Sequence, residues 1–529
     1  MSEETTPLLR ENTQPNYTVC DSEHGGEEPP KKSHLVFVIP MAVGIFLCAM
    51  DQTIIVSSYA SIGSDLNELH NTSWIATSYL LTITSFQPLY GKLSDIFGRK
   101  SCLLFAYTIF AIGCLLCGLS RNMTELVASR AFAGIGGGGM QTIVSIIMSD
   151  VVPLRERGTW QGVLNIVFAT GNSVGASLGG YLADTIGWRW AFLIQVPITV
   201  VAILAVSLAL QLPKKETGDF MTNLKRIDFG GAISLVVAVF CLLFGLDRGG
   251  NVGWSDQLTI ASLSAFAVAF TVFVFVEMEF ATEPFAPKRI IVNRSLIASY
   301  LVNFFGIAGS FTMLFHISLY FQAVQAQTAS QAGLWLILCV VGAVSGSVAG
   351  GLIIQATGKF YVITVLGYVA LFVGSALVTL TSGVVITSIA GIAIGLVISS
   401  IGNGSGITTS LISLIANAGQ ADQAIATAVS YLFRSLGSVV GLSVGSTLVQ
   451  MSLQSSLRGK LSGADVDEII KKVRESLKYL DELDPYTRAV VRTSYEDAIH
   501  VTFWFSVALA ACGLVASVFI KEKNLAART

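Results

Sequence analysis

Two ionisable residues stand deep inside apolar stretches of the chain: Asp51 within the run 35–58 and Arg130 within the run 125–149. At about 1.5 Å per helical residue, Asp51 lies roughly 22 Å and Arg130 roughly 30 Å from the side on which the chain starts, so both fall in the opposite half of a bilayer. A charge at the bilayer centre costs about 2.5–3.5 kcal/mol even on insertion scales, which makes an isolated one a functional residue by default. Two roles fit Asp51. A buried carboxylate takes and releases a proton as its exposure changes, or it forms an ion pair that fixes helix packing. We take Asp51 as the proton-site candidate. Arg130 keeps its proton at any accessible pH, so it modulates Asp51 or holds a substrate carboxylate.

A second charged set, Asp95, Arg99 and Asp150, lies at the membrane edge with the glycines Gly91 and Gly98. It reads as a breakable conformational latch or, equally, as a helix cap and loop anchor. Polar groups inside apolar runs need partners. Gln141, Asn165, Asn172, Asn303, His316, Tyr320 and Asn403 are therefore either bridges between helices or contacts for a polar solute. Arg434 reads as a functional charge or an interfacial anchor. Of the eight cysteines, seven fall in apolar runs. The Cys114–Cys117 pair lacks the further ligands of a zinc shell and reads as packing. No metal site, HExxH, GxSxG or Walker-type loop occurs, so a membrane enzyme is disfavoured.

The elements that must position these residues are membrane spans. The 529 residues are 53% hydrophobic and 12% charged, where a soluble domain carries about 25% charged residues. At about 20 apolar residues per crossing we count fourteen spans: 35–58, 73–90, 101–119, 125–149, 159–182, 191–212, 229–246, 257–279, 296–322, 331–354, 360–380, 384–404, 425–449 and 500–520. An even count puts both termini on one face. Lys31, Lys32, Lys92, Arg99, Lys100, Arg155, Arg157, Lys214, Lys215 and later cations flank that face, which the positive-inside rule makes cytosolic. The chain divides into a disordered cytosolic tail (1–34), a six-helix bundle (35–212), a linker with two inserted helices (213–295), a second six-helix bundle (296–520) and a short tail (521–529). The second bundle includes a non-cytosolic loop, 451–498. Val466, Ile469, Ile470, Val473 and Leu477 recur in it at helical spacing, as an amphipathic surface helix would. That loop is a lid or a solvated connector. A net charge of −2 and the absence of a basic, aromatic-interleaved cluster exclude nucleic acid as a partner.

The tail carries Glu4, Leu8 and Leu9 in the spacing of an acidic dileucine sorting signal, which would engage a sorting adaptor. Asn71 and Asn122 head glycosylation sequons on the non-cytosolic side. The chain also repeats itself. Gly91 to Arg99 matches Gly351 to Lys359 in its glycines and terminal cation, and the stripe Gly171, Gly175, Gly179 is answered by Gly437, Gly441, Gly445. Both stripes read as close helix packing. Parallel repeats of this kind suit a transporter of two six-helix halves.

On these residues the chain resembles the major facilitator superfamily, in its fourteen-span drug:proton antiporter branch. The carriers are the loop Gly91-Lys-Leu-Ser-Asp-Ile-Phe-Gly-Arg-Lys100, Met50 to Ile55, Arg130 to Gly134, and Trp188 to Phe192. Within the branch it is most similar to fungal vacuolar transporters of amino acids, including basic ones. It departs from the branch's motifs at Ala176 and Ala60, each in place of Pro, and at Gln195, in place of Asn. The resemblance implies an all-α membrane protein of two six-helix bundles plus two inserted helices. It implies a monomeric transport unit that needs no cofactor beyond a proton gradient. It places Gln141, Asn303, His316 and Asn403 along a central cavity. The expected activity is proton-coupled antiport of amino acids into a vacuole. Export of drug-like compounds is the alternative, with the plasma membrane as the alternative location, and a nutrient sensor on the same fold is a third reading.

Overall fold

A computed structural model describes residues 35–151, 157–210, 229–276, 293–418, 423–461 and 466–523. Among them the secondary structure is helical, with one isolated β-bridge between Ser382 and Thr387. The first bundle comprises α1 (Leu35–Asp65), α2 (Ser73–Phe97), α3 (Arg99–Leu119), α4 (Met123–Val151), α5 (Arg157–Asp184) and a broken sixth span, α6 (Arg189–Leu193) with α7 (Gln195–Ala209). Two further helices follow, α8 (Phe229–Asn251) and α9 (Gln257–Phe275). The second bundle comprises α10 (Arg294–Leu319), α11 (Ala329–Thr357), α12 (Tyr361–Thr381), α13 (Ile389–Ala418), α14 (Gln423–Lys460) and α16 (Pro485–Val518), with a short α15 (Val466–Glu475) before the last. Eleven described helices are long and apolar enough to cross a bilayer. The other three expected spans fall on α2, α5 and α8, the last with an apolar core at Ile233–Leu246. We call the face where α1 begins and α16 ends the terminal face, and the opposite one the far face.

Local chemistry sets the helix ends. Asp256, Asn293, Thr328 and Asp484 cap α9, α10, α11 and α16 through side-chain oxygens that accept backbone N–H groups, and Gln331 completes a capping box at α11. Gly98, between α2 and α3, has φ +87°, and Gly358, between α11 and α12, has φ +66°. These are the glycines of the repeated loop, and both occupy the left-handed region that favours residues without a Cβ.

The two bundles repeat one packing scheme. Gly171, Gly175 and Gly179 of α5 lie against the α1 carbonyls of Phe46, Met50 and Ile54, so close that a Cβ would collide with each. In the second bundle Gly437 and Gly441 of α14 meet the α10 carbonyls of Phe304 and Ala308, and Gly445 meets the side chains of Thr312 and His316. Likewise Tyr107 of α3 donates its hydroxyl to Pro40 O at 3.0 Å, and Tyr368 of α12 donates to Val302 O at 3.0 Å. The inserted pair packs on itself, and α8 touches both α2 and α14 beside the seam between the bundles.

Among the described residues, the hydrogen bonds that join the bundles lie toward the far face. Thr77 and Ser443 hydroxyls are 3.3 Å apart, Gln322 Nε2 donates to Ser57 O at 3.4 Å, and Ser330 N donates to Asp184 Oδ2 at 2.7 Å. The Tyr59 ring stacks on Phe315 at 4.2 Å. This conformation is pinned shut on the far side.

The segment expected as the loop 451–498 differs from that reading. Helix α14 runs on to Lys460 and α16 starts at Pro485, so both flanking helices project beyond the apolar lengths counted from sequence. Hydropathy measures only the lipid-facing part of a helix, and polar extensions above it escape the count. Between them, Ile470, Val473 and Leu480 are buried. Leu477 N donates to Ser64 Oγ of α1 at 2.9 Å, and Tyr495 donates to Val473 O at 2.9 Å. The connector is a packed cap on the far face.

Candidate functional site

Asp51 and Arg130 meet. The sequence places them on α1 and α4, and the fold adds α2 and the α6–α7 break around them. Arg130 Nη1 donates to Asp51 Oδ2 at 2.6 Å, with the side chains 1% and 0% exposed. Arg130 Nε donates to Ile75 O at 3.1 Å, and its guanidinium lies 4.1 Å from the Tyr79 ring centroid and 5.6 Å from that of Phe192. Gln195, the first residue after the break, donates from Nε2 to the other carboxylate oxygen, Asp51 Oδ1, at 3.1 Å and to Ala191 O at 3.0 Å. Arg130 also lines a small cavity between the bundles with Gln52, Tyr79, Phe311, Phe315 and Leu442. Removing one partner of such a buried pair leaves an uncompensated charge, at about 3–5 kcal/mol.

The repeat supplies an internal control. Met50 and Ala308 occupy equivalent places under Gly175 and Gly441, so the next residue of each helix, Asp51 or Gly309, is equivalent too. At Gly309 the neighbour is the Ser506 hydroxyl, which donates to Gly309 O at 2.9 Å. One bundle thus packs the same crossing without a charge, so the crossing does not require the ion pair.

Gln195 is the residue the sequence reading did not assign. Its signal was present as a departure, Gln where the resembled motif carries Asn. Tyr79, the platform under Arg130, gave none.

The polar candidates divide by how their groups are used. Asn303 is occupied within the second bundle: Nδ2 donates to Ser299 O at 2.8 Å and to Ser430 Oγ at 3.3 Å, and Ser410 donates to its Oδ1 at 3.2 Å. Gln141 accepts from Gln87 at 3.3 Å, while its Nε2 is buried without a partner. The Oδ1 atoms of Asn172 and Asn403 are likewise buried and unpartnered. These three amides keep capacity for a polar ligand; Asn303 does not. Tyr320 donates to Ser382 O at 2.6 Å, and the Arg434 guanidinium lies 5.2 Å from the Tyr431 ring centroid. His316 Nδ1 lies 2.8 Å from Thr312 O on its own helix.

At the terminal face, Arg99 Nη1 donates to Ser94 Oγ at 2.5 Å. Gly91, Asp95 and Asp150 lie on α2 and α4, but the side chains of Asp95, Asp150 and Asn165, and with them the latch contacts, lie outside the described residues, as do Glu4, Leu8 and Leu9. Asn71 and Asn122 turn their amides to Glu68 and Glu125 at 2.9 Å each, Asn122 on an exposed loop. Cys114 and Cys117 are buried and free, and no group of potential metal ligands occurs among the described residues.

Comparison with known proteins gives a match to the Major Facilitator Superfamily over residues 41–442. A vacuolar membrane amino acid uptake transporter of Schizosaccharomyces pombe is 42% identical, over 92% of this chain and 84% of the relative. A multidrug resistance protein of the same yeast is 37% identical, over 91% of each. A vacuolar basic amino acid transporter of Saccharomyces cerevisiae is 32% identical, over 86% of this chain and 98% of the relative.

Proposed function

Because this chain belongs to the major facilitator superfamily, a family of membrane transporters and not of enzymes, we propose that it is a proton-coupled antiporter. It moves amino acids, basic ones among them, across the vacuolar membrane into the lumen by alternating access. The observation that carries this reading is the Asp51–Arg130–Gln195 cluster, a charged group in one bundle that its sister bundle lacks. A buried carboxylate that loses its two donors as the helices move can take up a proton in their place, and that exchange is what coupling to a gradient demands. The loop cations support a cytosolic terminal face, and on that reading the present conformation is the one closed toward the lumen. The buried, unpartnered amides of Gln141, Asn172 and Asn403 are the solute contacts we favour. Two relatives that transport vacuolar amino acids support the solute class. The multidrug resistance relative is the observation that favours export of drug-like compounds as the second reading.

The test is uptake into proteoliposomes that are acidic inside, with lysine, arginine, histidine, leucine and a lipophilic cationic drug compared. Each pH unit supplies about 1.4 kcal/mol per proton, enough for about tenfold accumulation. We expect basic amino acids to accumulate and a protonophore to release them. Asp51→Asn should insert normally and retain less than about a tenth of that uptake. Accumulation of the drug alone selects the second reading, and accumulation indifferent to the protonophore rules out proton coupling.

A further inference from the structure

Arg434 stands on α14, which begins at Gln423, so it lies about 16 Å along the helix, near the middle of a hydrocarbon core about 30 Å thick. Among the described residues its guanidinium makes no ion pair and no hydrogen bond; it leans on the Tyr431 ring, 5.2 Å from the centroid. The repeat again supplies a control. Gly171 and Gly437 occupy equivalent places under Phe46 and Phe304, so Phe168 and Arg434, one turn before each, are equivalent too. Phe168 packs against the apolar core. Helix packing at this place therefore does not call for a cation, and an unpaired charge at that depth is costly.

Two faces of α14 diverge around Arg434. Ser430 and Phe433 point back to α10: Ser430 Oγ accepts from Asn303 at 3.3 Å, and Phe433 stacks on Tyr300 at 5.3 Å. Leu442 points the other way and lines the cavity between the bundles with Arg130, Tyr79 and Phe311. Tyr431, Ser435 and Ser438 share the face of Leu442 by helical spacing, and Arg434 borders it, one turn from both Tyr431 and Ser438. Ser438 and Leu442 are buried, whereas Tyr431 is 36% exposed and Arg434 is partly exposed. Because the bundles are closed at the far face, the exposed half of this face borders the gap that opens at the terminal face. Asn303 also accepts from Ser410 of α13 at 3.2 Å, so α13 and α14 converge at this amide. Farther from the terminal face stand Arg434, one turn beyond Ser430, and Asn403, about two turns beyond Ser410. Asn403 Oδ1 is buried without a partner. A cation with free donors and an amide with a free acceptor thus come from adjacent helices at depths within about 5 Å of each other.

We propose that Arg434 anchors the carboxylate of the transported amino acid, in a site open to the terminal face, with Asn403 accepting from its α-ammonium. A guanidinium takes a carboxylate as a bidentate pair, and an amide oxygen accepts from an ammonium group. The inference rests on the amino-acid reading above and names the part of the solute that the second bundle recognises. That part is the zwitterion common to all amino acids, so choice among side chains falls to other contacts.

The experiment reads binding and not transport. Isothermal titration of the full chain in lipid nanodiscs, without a gradient, is carried out at about pH 6, where α-amines are protonated. Lysine and leucine are each compared with lysinamide and leucinamide, which keep the side chain and the α-ammonium but lose the carboxylate. We expect the native chain to bind the acid at least about tenfold more tightly than its amide. In Arg434→Gln the acid should fall to the affinity of the amide, while the amide keeps its native affinity, the mark of a folded variant. Arg434→Lys, which retains the charge but not the fork, should recover part of the preference. Should Arg434→Gln not fold, Arg434→Phe, with the residue of the sister bundle, carries the same comparison. Asn403→Leu should weaken acid and amide alike, because both retain the ammonium group. A native chain that binds acid and amide equally, or a preference for the acid that survives in Arg434→Gln and Arg434→Phe, overturns this proposal and leaves the amino-acid reading standing. A native chain that binds the lipophilic cationic drug but neither acid nor amide overturns both.

Discussion

Gln195 shows how much a single amide contributes at the residue scale. Its Nε2 satisfies one oxygen of a carboxylate whose other oxygen accepts from Arg130. Hydrogen bonds to charged groups are worth about 1.5–3 kcal/mol. Gln195→Leu, close to isosteric, should therefore lower thermal stability by about that amount and slow proton-driven uptake at least about tenfold. A melting curve beside an uptake rate separates the two effects, and a variant with native uptake would exclude Gln195 from the coupling path. The proposed sorting role of Glu4, Leu8 and Leu9 belongs to the same scale. With Leu8→Ala and Leu9→Ala we expect the chain to leave the vacuolar membrane for the cell surface, as followed by a fluorescent tag; unchanged residence would make the motif a coincidence.

At the scale of elements, the contact between α1 and α5 depends on three glycines. At Gly175 a Cβ would strike the Met50 carbonyl oxygen and the Thr53 hydroxyl, backbone and tightly held groups that cannot swing away. At Gly98 a Cβ meets nothing within 4 Å, and only its φ of +87° opposes a side chain. Gly98→Ala should consequently cost about 1–2 kcal/mol. Gly175→Val forces the helices apart and should cost more, with overpacking at about 1–3 kcal/mol before any backbone shift. Detergent melting curves of the two variants test the order; equal losses would mean that α5 has room to move.

Whole-molecule behaviour turns on the seam between the bundles. Thr77 and Ser443 bring hydroxyl oxygens of opposite bundles to 3.3 Å, a separation that suits a disulfide with little movement. In Thr77→Cys/Ser443→Cys, oxidation should hold the far face shut and reduce uptake to background, and a reductant should restore it. Full uptake by the oxidised, cross-linked protein would show that transport does not require the bundles to separate there. The cap formed by α15 and the following turn adds a second clasp through Leu477 and Ser64.

Composition and apolar periodicity determined the membrane class and a helix for each of the fourteen counted spans, because burial of apolar side chains in lipid is a local property of each segment. The glycine repeats also revealed two related halves before any coordinates, since close helix approach admits few other residues at those positions. Asp51 and Arg130 were conspicuous for the cost of a charge in lipid, but their mutual contact was not legible. It depends on the rotation and depth of four helices, which no local pattern encodes. The same holds for Gln195 and the far-face cap. Each joins residues from distant parts of the chain, some more than two hundred positions apart, and only tertiary packing decides which of them meet.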